Sequence, residues 1–435
     1  MDKTELFYWL IWWGWWLVQF VLYILLGALM CDGVYQIIVS LRGFWSQKKM
    51  PQAKRYRRFA VLVPAHNEAM VIVPLLKSLA GQNYPKNCYK VCLLRQLHHN
   101  TAELARENGA VALERFDDEH NGKTWNVRWA LTKIPFEEYD ALAMFDADNL
   151  AEHNFLMAMN NYMELHPEAE AIQGVLDVKN PDDNWLTRSY ALAYWFTNRF
   201  WQLARGLWGL SCTLGGTGLV IRTATLERIG WNLQSLTEDL EMSTPHPFRQ
   251  PRPLERRRGD LRRKAAGHGR LKRQRTRWMR GHYWVFWTYG WDSLKAFFVT
   301  RRLRYLDLFL YLLAPAKSCL GIIIMIAGMA FTLVNNMVLY PSSDIPQSML
   351  EWTLFFGLPI FSIIAFCLLC AIAGPSMHEK KFTLRYVKDT FAYFWFGLTW
   401  IPILFKAAFL AKDQGKWVKT EHTRGISLDD VKPKS

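Results

Sequence analysis

The segment FAVLVPAHNE, residues 59–68, joins a short apolar run to a polar loop. Phe59 to Pro64 has the length and the residue types of a buried strand, and residues 65–68 have those of the loop that leaves it. A helical stretch to about Ala80 follows, and then a second strand from Cys88 to Leu94. This alternation of strands and helices predicts an α/β sheet domain.

Two more strands are predicted downstream, at Val111 to Phe116 and at Ala141 to Phe145. In sheets of this kind, ligands bind beyond the carboxyl ends of the strands. Glu68 follows the first strand, and Asp146 and Asp148 follow the fourth. The sequence therefore predicts that these three carboxylates lie at the ligand-binding edge of the sheet.

Asp146 and Asp148 are one residue apart at a strand end, where two carboxylates can share a hard divalent cation. Mg²⁺ or Mn²⁺ held in this way keeps open positions for diphosphate oxygens and neutralises the charge that builds on a leaving nucleotide. A solvated acidic loop is the alternative interpretation.

Asp239 lies in the string Thr237-Glu238-Asp239, at a loop or helix start that Thr237 can cap. A carboxylate here can take the proton from an acceptor hydroxyl as that hydroxyl attacks the anomeric carbon of a sugar. Such an attack inverts the sugar without a covalent enzyme intermediate. For this string alone, an acidic helix cap is the alternative interpretation.

The string Gln274-Arg275-Thr276-Arg277-Trp278 combines fixed hydrogen-bond donors with an aromatic face. Guanidinium groups match phosphate oxygens in pairs, and an indole can stack on a sugar ring of the acceptor. The string therefore indicates a pyrophosphate contact next to an acceptor contact. A basic, aromatic stripe at a membrane surface is the alternative.

Phe7 to Cys31 carries no charged side chain, and its 25 residues at helical rise exceed the thickness of a bilayer's hydrocarbon core. This predicts a transmembrane helix. A cleaved signal peptide is the alternative, but Asp2 and Glu5 precede the run, which is too long for a signal peptide's apolar region. Residues 42–58 hold seven Lys and Arg and no acid, so the positive-inside tendency places the following domain in the cytosol.

Two C-terminal stretches, Ser318 to Val338 and Trp352 to Ala373, are each long enough to cross a membrane. The loop between them has no Lys or Arg, as expected outside the cell, and basic residues return after the second stretch. The last apolar run, Phe391 to Phe405, would carry the basic tail outside if it crossed. Two alternatives stay open: this run is re-entrant or interfacial, or an extra short crossing lies in Leu306 to Leu313.

In their combined order, these motifs resemble those of the membrane-integrated family-two glycosyltransferases, the group that includes cellulose, hyaluronan and poly-N-acetylglucosamine synthases. The resemblance runs from about Phe59 to Trp287 and continues more loosely through the membrane helices. It implies an α/β, GT-A-type nucleotide-sugar-binding domain inserted between transmembrane α-helices. The implied roles are a general base at Asp239; metal contacts at Asp146 and Asp148; nucleotide-sugar contacts at Ala65, Asn67, Glu68, Lys123, Asp146, Gln274, Arg275 and Arg277; and acceptor contacts at Gly216, Thr217 and Trp278.

By this resemblance, the expected activity is inverting transfer from a nucleotide-sugar, with UDP-GlcNAc and UDP-glucose as candidates, to a growing polysaccharide at the cytosolic face of the plasma membrane. Single-sugar transfer to a lipid-linked acceptor, and a catalytically silent binding or assembly module, are the alternatives. The expected partners are the donor, the acceptor, membrane lipids and secretion proteins, with Mg²⁺ or Mn²⁺ as cofactor. No nucleic acid is expected as a partner.

The expected division of the chain has five parts. They are a transmembrane helix in 1–41, a basic cytosolic linker in 42–58, the GT-A domain in 59–300, membrane helices in 301–412 and a basic polar tail in 413–435.

Two stretches depart from the family pattern. Residues 95–100 replace an acidic turn that contacts the nucleotide base in the family, and residues 245–273 hold eleven Lys and Arg against two acids, with four prolines. A genuine sheet segment is not expected to have the second composition. We interpret both stretches as out-of-frame translation, because family-like sequence resumes directly after each, and resequencing of the coding DNA tests this interpretation.

A basic loop that binds anionic lipid or nucleic acid is the alternative for residues 245–273. If the chain is made as written, the sequence predicts weak or absent turnover, because a disordered basic segment would join Asp239 to the Gln274-to-Trp278 string.

Overall fold

Eight strands form one mixed sheet in the part of the chain that follows the first long helix. This computed structural model describes residues 2–45, 50–66, 68–96, 101–117, 120, 122–210, 212–244, 251–262, 268–334, 345–379, 384–412 and 414. Asn67, residues 97–100 and almost all of the predicted tail lie outside these ranges. The strands are β1 Phe59–Ala65, β2 Tyr89–Gln96, β3 Val111–Arg115, β4 Ala141–Met144, β5 Leu150–Ala151, β6 Ala171–Val178, β7 Leu219–Arg222 and β8 Pro251–Arg262.

The strand order across the sheet is β3-β2-β1-β4-β7-β6-β8-β5. β1 to β4 pair parallel with one another, and β7 joins β4 antiparallel with Leu219 opposite Met144. Because β1 and β4 are parallel neighbours, residues 65–68 and 146–148 leave the sheet at the same edge. This mixed α/β sheet confirms the predicted fold class.

The described residues contain seventeen α-helices, which lie before, between and after the strands in the chain. They are α1 Lys3–Leu41, α2 Ala69–Ala80, α3 Thr101–Glu107, α4 Lys123–Ala130, α5 Phe155–Leu165, α6 Trp185–Phe196, α7 Ala204–Leu207, α8 Thr223–Ile229, α9 Glu238–Met242, α10 His268–Val285, α11 Trp291–Thr300, α12 Leu303–Leu312, α13 Ala314–Val334, α14 Ile345–Trp352, α15 Leu358–Glu379, α16 Arg385–Leu398 and α17 Ile401–Phe409.

Helices cover both faces of the central strands, which explains why β1 is apolar throughout. Phe59 packs with Leu76 of α2 and Phe155 of α5 on one face. Leu62 packs with Val127 of α4 on the other face. Successive side chains of a strand point to opposite faces, so a strand buried on both sides reads as a continuous apolar run.

Four helices are long and apolar enough to cross a membrane, by length and composition: Thr4–Phe44, Ala314–Val334, Met349–Ser376 and Arg385–Phe409. The first two pack against each other, with the Trp15 and Phe331 ring centroids 4.2 Å apart. The predicted stretch to Val338 leaves the described residues after Val334. The fourth candidate span consists of α16 and α17 and contains the apolar run Phe391 to Phe405, for which the sequence left two alternatives open.

Both helices of the fourth candidate span, α16 and α17, pack against helices of the sheet domain. A charged nitrogen of Arg188 in α6 lies 3.0 Å from a carboxylate oxygen of Asp389 in α16. Phe396 of α16 packs with Tyr190 of α6, and Ala407 of α17 packs with Tyr283 of α10. The apolar run therefore contacts helices of the sheet domain through both α16 and α17, and the two alternatives for its path stay predictions.

The structure differs from the sequence prediction for part of the basic stretch 245–273. Pro251–Arg262 forms β8, parallel to β6 and antiparallel to β5, so the prediction that no sheet segment occurs here is wrong for these residues. Strand pairing uses backbone groups, so a basic composition does not prevent it. Pro253 pairs with Gln173 and Arg258 with Val175, and this shift in register leaves four residues of β8 outside regular pairing.

Candidate active site

Asp146 is fixed by its own backbone at the point where the chain leaves β4. Its N–H donates to Thr217 Oγ1 over 3.0 Å, and Asn149 Nδ2 donates to the same oxygen over 2.6 Å. Thr217 is fully buried. The Thr217 hydroxyl, enclosed by these groups, aligns the loop after β4, and the acceptor contact expected at Thr217 stays a prediction.

Lys123, the first residue of α4, lies at the centre of a charged cluster. Its Nζ donates to Asp146 Oδ1 over 2.7 Å and to the carbonyl oxygen of Gly216, and it lies 3.1 Å from Glu238 Oε1. These partners come from three separate parts of the chain, after β4, before β7 and in α9. The sequence identified Lys123 only through the family resemblance, and it did not assign a role to Glu238.

Asp239 lies on the same side of this cluster. A Cβ added to Gly216 would be 2.9 Å from Asp239 Oδ2 and 3.6 Å from Lys123 Nζ. Gly216 also has φ of +77°, a conformation that favours glycine. A side chain here would displace Asp239, so the glycine is required where the carboxylate approaches the loop. The structure thus brings Lys123, Asp146, Gly216 and Asp239 together, as the predicted site requires.

Three carboxylates act on the single ammonium of Lys123. Burial alone would lower the pKa of Lys123, but the charges of Asp146, Glu238 and Asp239 outweigh burial and raise the pKa above its ordinary value. Lys123 therefore stays protonated at physiological pH. Because three acids face one cation, the cluster keeps an excess of negative charge.

This excess and the type of side chain suit a divalent cation. The side chain of Asp146 is 39% exposed despite its bond to Lys123, and Asp148 is half-buried beside it. Within the described residues, no group of three or more His, Cys, Asp or Glu side chains is arranged to hold a metal. The metal contacts expected at Asp146 and Asp148 stay predictions.

The helix that carries Gln274 to Trp278 packs against the start of α9. A Cβ added to Gly281 of α10 would lie 2.4 Å from Thr237 Oγ1, so this face of α10 closely approaches the acidic string. Gln274 and Arg277 are seven and four residues before Gly281, which places them on the same face of the helix. Trp278 is half-buried and packs against the cluster that includes Tyr190. Gln274 and Arg277 therefore lie on the face of α10 that approaches Thr237.

Arg275 lies on another face of α10, where it is buried among neighbouring helices. It is 3% exposed. Its Nε donates to the Tyr190 hydroxyl over 2.7 Å and its Nη1 to Thr399 Oγ1 over 2.6 Å. Its guanidinium carbon also lies 4.4 Å from the centre of the Phe396 ring. Arg275 therefore joins α10 to α6 and α16, and the donor contact expected at Arg275 stays a prediction.

The Arg275→Met variant is expected to unfold at a lower temperature while its donor KM stays within about twofold of the wild type. Loss of two hydrogen bonds from a charged donor should cost about 2 kcal/mol of stability. Thermal unfolding in detergent and donor titration measure the two effects. Arg302→Met, at an exposed arginine, is the matched control. A raised donor KM with unchanged unfolding would instead favour the donor contact that the resemblance implies.

The loop after β1 contributes backbone and half-buried groups to the same edge of the sheet. Ala65 is 3% exposed and pairs with Arg95 of β2, so only its backbone can contact a ligand. The carbonyl oxygen of Glu68 accepts the N–H groups of Val71 and Ile72 at the start of α2. The predicted nucleotide contacts at Ala65 and Glu68 stay predictions, and Asn67 lies outside the described residues.

Comparison with known proteins identifies a family that one segment of this chain resembles. Residues 57–245 match the family described as Glycosyltransferase like family 2. The matched segment contains Lys123, Asp146, Asp148 and Asp239, and it ends before Gln274. The part of the chain that holds the charged cluster is therefore the part that resembles the family.

Two curated relatives carry glycosyltransferase names. The chain is 24% identical over 397 residues to Probable glycosyltransferase YdaM of Bacillus subtilis (strain 168), a match that covers 85% of this chain and 87% of that protein. It is 26% identical over 227 residues to Beta-monoglucosyldiacylglycerol synthase of Trichormus variabilis, covering 50% of this chain and 47% of the relative. The chain thus spans about half the length of the second relative.

A mannosyltransferase of Pyrobaculum calidifontis, solved in complex with GDP-Man and Mn²⁺, has the same fold. The two structures align with a TM-score of 0.55 at 15% identity, over 91% of this chain and 100% of the mannosyltransferase. At this identity the likeness is one of fold. Together, the family match, the named relatives and this fold support a glycosyltransferase, with a sheet domain that is similar to family 2 glycosyltransferases, has a GT-A-like fold and is flanked by apolar helices.

Proposed function

We propose that the protein is a membrane-anchored, inverting glycosyltransferase that moves a sugar from a UDP-sugar to a hydroxyl of a lipid-borne acceptor. The observation that carries this proposal is the cluster in which Lys123 bonds Asp146 and lies beside Glu238 and Asp239. A site for phosphate-linked sugars needs cationic and metal-binding groups on one side and a base on the other. This cluster brings both kinds of group together.

In the proposed reaction, Asp239 is the general base. Its Oδ1 accepts the Leu240 N–H over 2.8 Å, and its Oδ2 faces Gly216. The acceptor oxygen attacks the anomeric carbon, its proton passes to Asp239 Oδ2, and the bond between the anomeric carbon and the phosphate oxygen breaks. The nucleoside diphosphate leaves, and the sugar's configuration is inverted.

The departing diphosphate would meet Lys123 and the half-buried Gln274 and Arg277. A bound Mg²⁺ or Mn²⁺, held by Asp146 and Asp148, would neutralise part of the charge on the leaving group. Lys123 holds Asp146 in place through its 2.7 Å hydrogen bond and limits repulsion among the three acids. Trp278 would stack on the acceptor side.

The lipid-borne acceptor is supported by the name of the second relative and by the membrane helices. One candidate span precedes the sheet domain in the chain and three follow it, and α16 and α17 pack against α6 and α10. The basic linker after α1 favours a cytosolic position for this domain in the plasma membrane. Extension of a polysaccharide, with a secretion partner, is the second candidate and is favoured by the family resemblance of the Gln274-to-Trp278 string.

The test is turnover by the purified protein with a panel of nucleotide-sugars, in mixed micelles that contain diacylglycerol. The expected result is a lipid product that carries one sugar, formed from one UDP-sugar. Long products on a soluble oligosaccharide would favour polysaccharide extension. Absence of both transfer and donor hydrolysis would contradict the proposed function and agree with a catalytically silent module.

A further inference from the structure

The loop of residues 213–218, just before β7, lies close to both Lys123 and Asp239. We call it the glycine loop, since three of its six residues are glycine. The carbonyl oxygen of Gly216 accepts the ammonium of Lys123, and a Cβ added to Gly216 would lie 2.9 Å from Asp239 Oδ2. Gly216 and Gly218 both have a left-handed φ, of +77° and +58°. Because glycine restricts its own backbone less than other residues do, groups outside the loop have to fix its shape.

Gln173 of β6 holds the glycine loop on both sides of Gly216. Its Oε1 accepts the Gly215 N–H over 2.7 Å, and its Nε2 donates to the carbonyl oxygen of Thr217 over 3.1 Å. The same Nε2 lies 3.3 Å from the carbonyl oxygen of Gly218. Gln173 is 4% exposed, so water does not compete for these bonds. One buried amide therefore fixes the residues immediately before and after Gly216.

Ser243, which directly follows α9, joins the glycine loop to the helix that carries Asp239. Its hydroxyl accepts the Leu214 N–H over 2.8 Å and donates to the Asp239 carbonyl oxygen over 2.8 Å. Ser243 is 1% exposed. Gln202, between α6 and α7, holds the start of the loop, since its Oε1 accepts the Thr213 N–H over 3.0 Å and its Nε2 donates to the Thr213 carbonyl oxygen over 3.1 Å. The loop and α9 are therefore held at a fixed separation.

We propose that Gln173 and Ser243 are positioning residues for the sugar transfer. They hold the glycine loop at the place where Gly216 meets both Lys123 and Asp239. This inference rests on the proposed function, in which Lys123 contacts the diphosphate and Asp239 takes the proton of the acceptor. A base works only within about 2.6–3.2 Å of the group that it deprotonates, so a shift of about 1 Å in the loop costs rate.

The simpler alternative is that these bonds only stabilise the fold. Gln173→Met keeps a side chain of similar length and removes both kinds of hydrogen bond, and Ser243→Ala removes one hydroxyl. Gln52→Met, at an exposed glutamine before β1, is the first matched control. Ser362→Ala is the second, because the exposed Ser362 hydroxyl donates to the carbonyl oxygen four residues earlier over 2.8 Å, as that of Ser243 does.

The experiment measures transfer from UDP-glucose or UDP-GlcNAc to diacylglycerol in mixed micelles, below the unfolding temperature of each variant. Gln173→Met should lower kcat by at least about tenfold, and Ser243→Ala by about three- to tenfold. The donor KM should rise by a smaller factor than kcat falls, because Lys123 keeps its 2.7 Å bond to Asp146. Both control variants should have the kcat and KM of the wild type.

The same substitutions in the Asp239→Asn background separate positioning from a loss of stability. Once the base is removed, its displacement can no longer cost rate. Gln173→Met and Ser243→Ala should therefore lower the residual kcat by less than about threefold in this background. Residues that act independently of Asp239 would lower kcat by the same factor in both backgrounds.

Either of two outcomes would overturn the inference. One is a wild-type kcat in a folded Gln173→Met variant, and the other is an equal factor of loss in both backgrounds. If Gln173→Met does not fold, Ser243→Ala decides by the same two criteria, because it removes only one hydroxyl. A wild type that neither transfers sugar nor hydrolyses the donor would instead refute the proposed function itself, and the inference with it.

Discussion

Replacement of Asp239 by asparagine is expected to lower the kcat of sugar transfer by about 10²- to 10⁴-fold while the protein stays folded. Asparagine keeps an oxygen that can accept the Leu240 N–H, which in the wild type donates to Asp239 Oδ1 over 2.8 Å. It cannot take the acceptor's proton. Donor binding should persist, because Lys123 and Asp146 remain. Single-turnover transfer and donor titration measure the two effects.

Asp292→Asn is the matched control for this variant, since its side chain is 64% exposed and bonds only weakly to Lys295 at 3.6 Å. It should have wild-type turnover. If Asp239→Asn transferred sugar at the wild-type rate, Asp239 would not be the base. If turnover were absent in every variant and in the wild type, a non-enzymatic assembly role would account for the retained fold.

The Lys123→Met variant is expected to lose about 100-fold in kcat/KM for the donor and about 2 kcal/mol of stability. Removal of the ammonium leaves Asp146, Glu238 and Asp239 without the cation that they share. Their repulsion should move Asp146 out of position and weaken diphosphate binding. Steady-state kinetics and thermal unfolding check both expectations, with Lys133→Met at an exposed lysine as control.

The pH dependence of this stability difference has a definite sign. Because the folded protein raises the pKa of Lys123, the stabilisation is complete below the ordinary lysine pKa and is lost only as pH rises through the higher folded value. The difference between wild type and Lys123→Met should therefore stay constant from about pH 6 to about pH 9. A difference that disappears with rising pH inside this range would mean that Lys123 is not held by these acids.

Local patterns predicted the parallel half of the sheet well. The strand predicted from Phe59 to Pro64 is β1 Phe59–Ala65, and the one predicted from Ala141 to Phe145 is β4 Ala141–Met144. Such strands are buried on both faces, so their apolar runs are visible in the sequence. β7 and β8 were not predicted. β7 has only four residues and β8 is rich in basic residues, and both pair through backbone groups, which composition does not reveal.

Single residues of the site were harder to place than the strands. Motif order predicted that Asp146 and Asp239 belong to one site, and the structure places both beside Lys123. The contacts of Arg275 with α6 and α16 were not predicted, because adjacent residues of a helix point about 100° apart, so neighbours in a basic string face different surroundings. Glu238 was missed although it adjoins Asp239, since its contact with Lys123 spans more than a hundred residues of chain.

If the group of Lys123, Asp146 and Asp239 holds the donor nucleotide during transfer, a cryo-electron microscopy structure with Mn²⁺ and the nucleoside diphosphate that the turnover assay identifies should show this. We expect diphosphate density against Lys123 and Asp146, with Asp239 facing the acceptor side. Nucleotide bound elsewhere on the protein, with no density at these three residues, would contradict this placement of the donor.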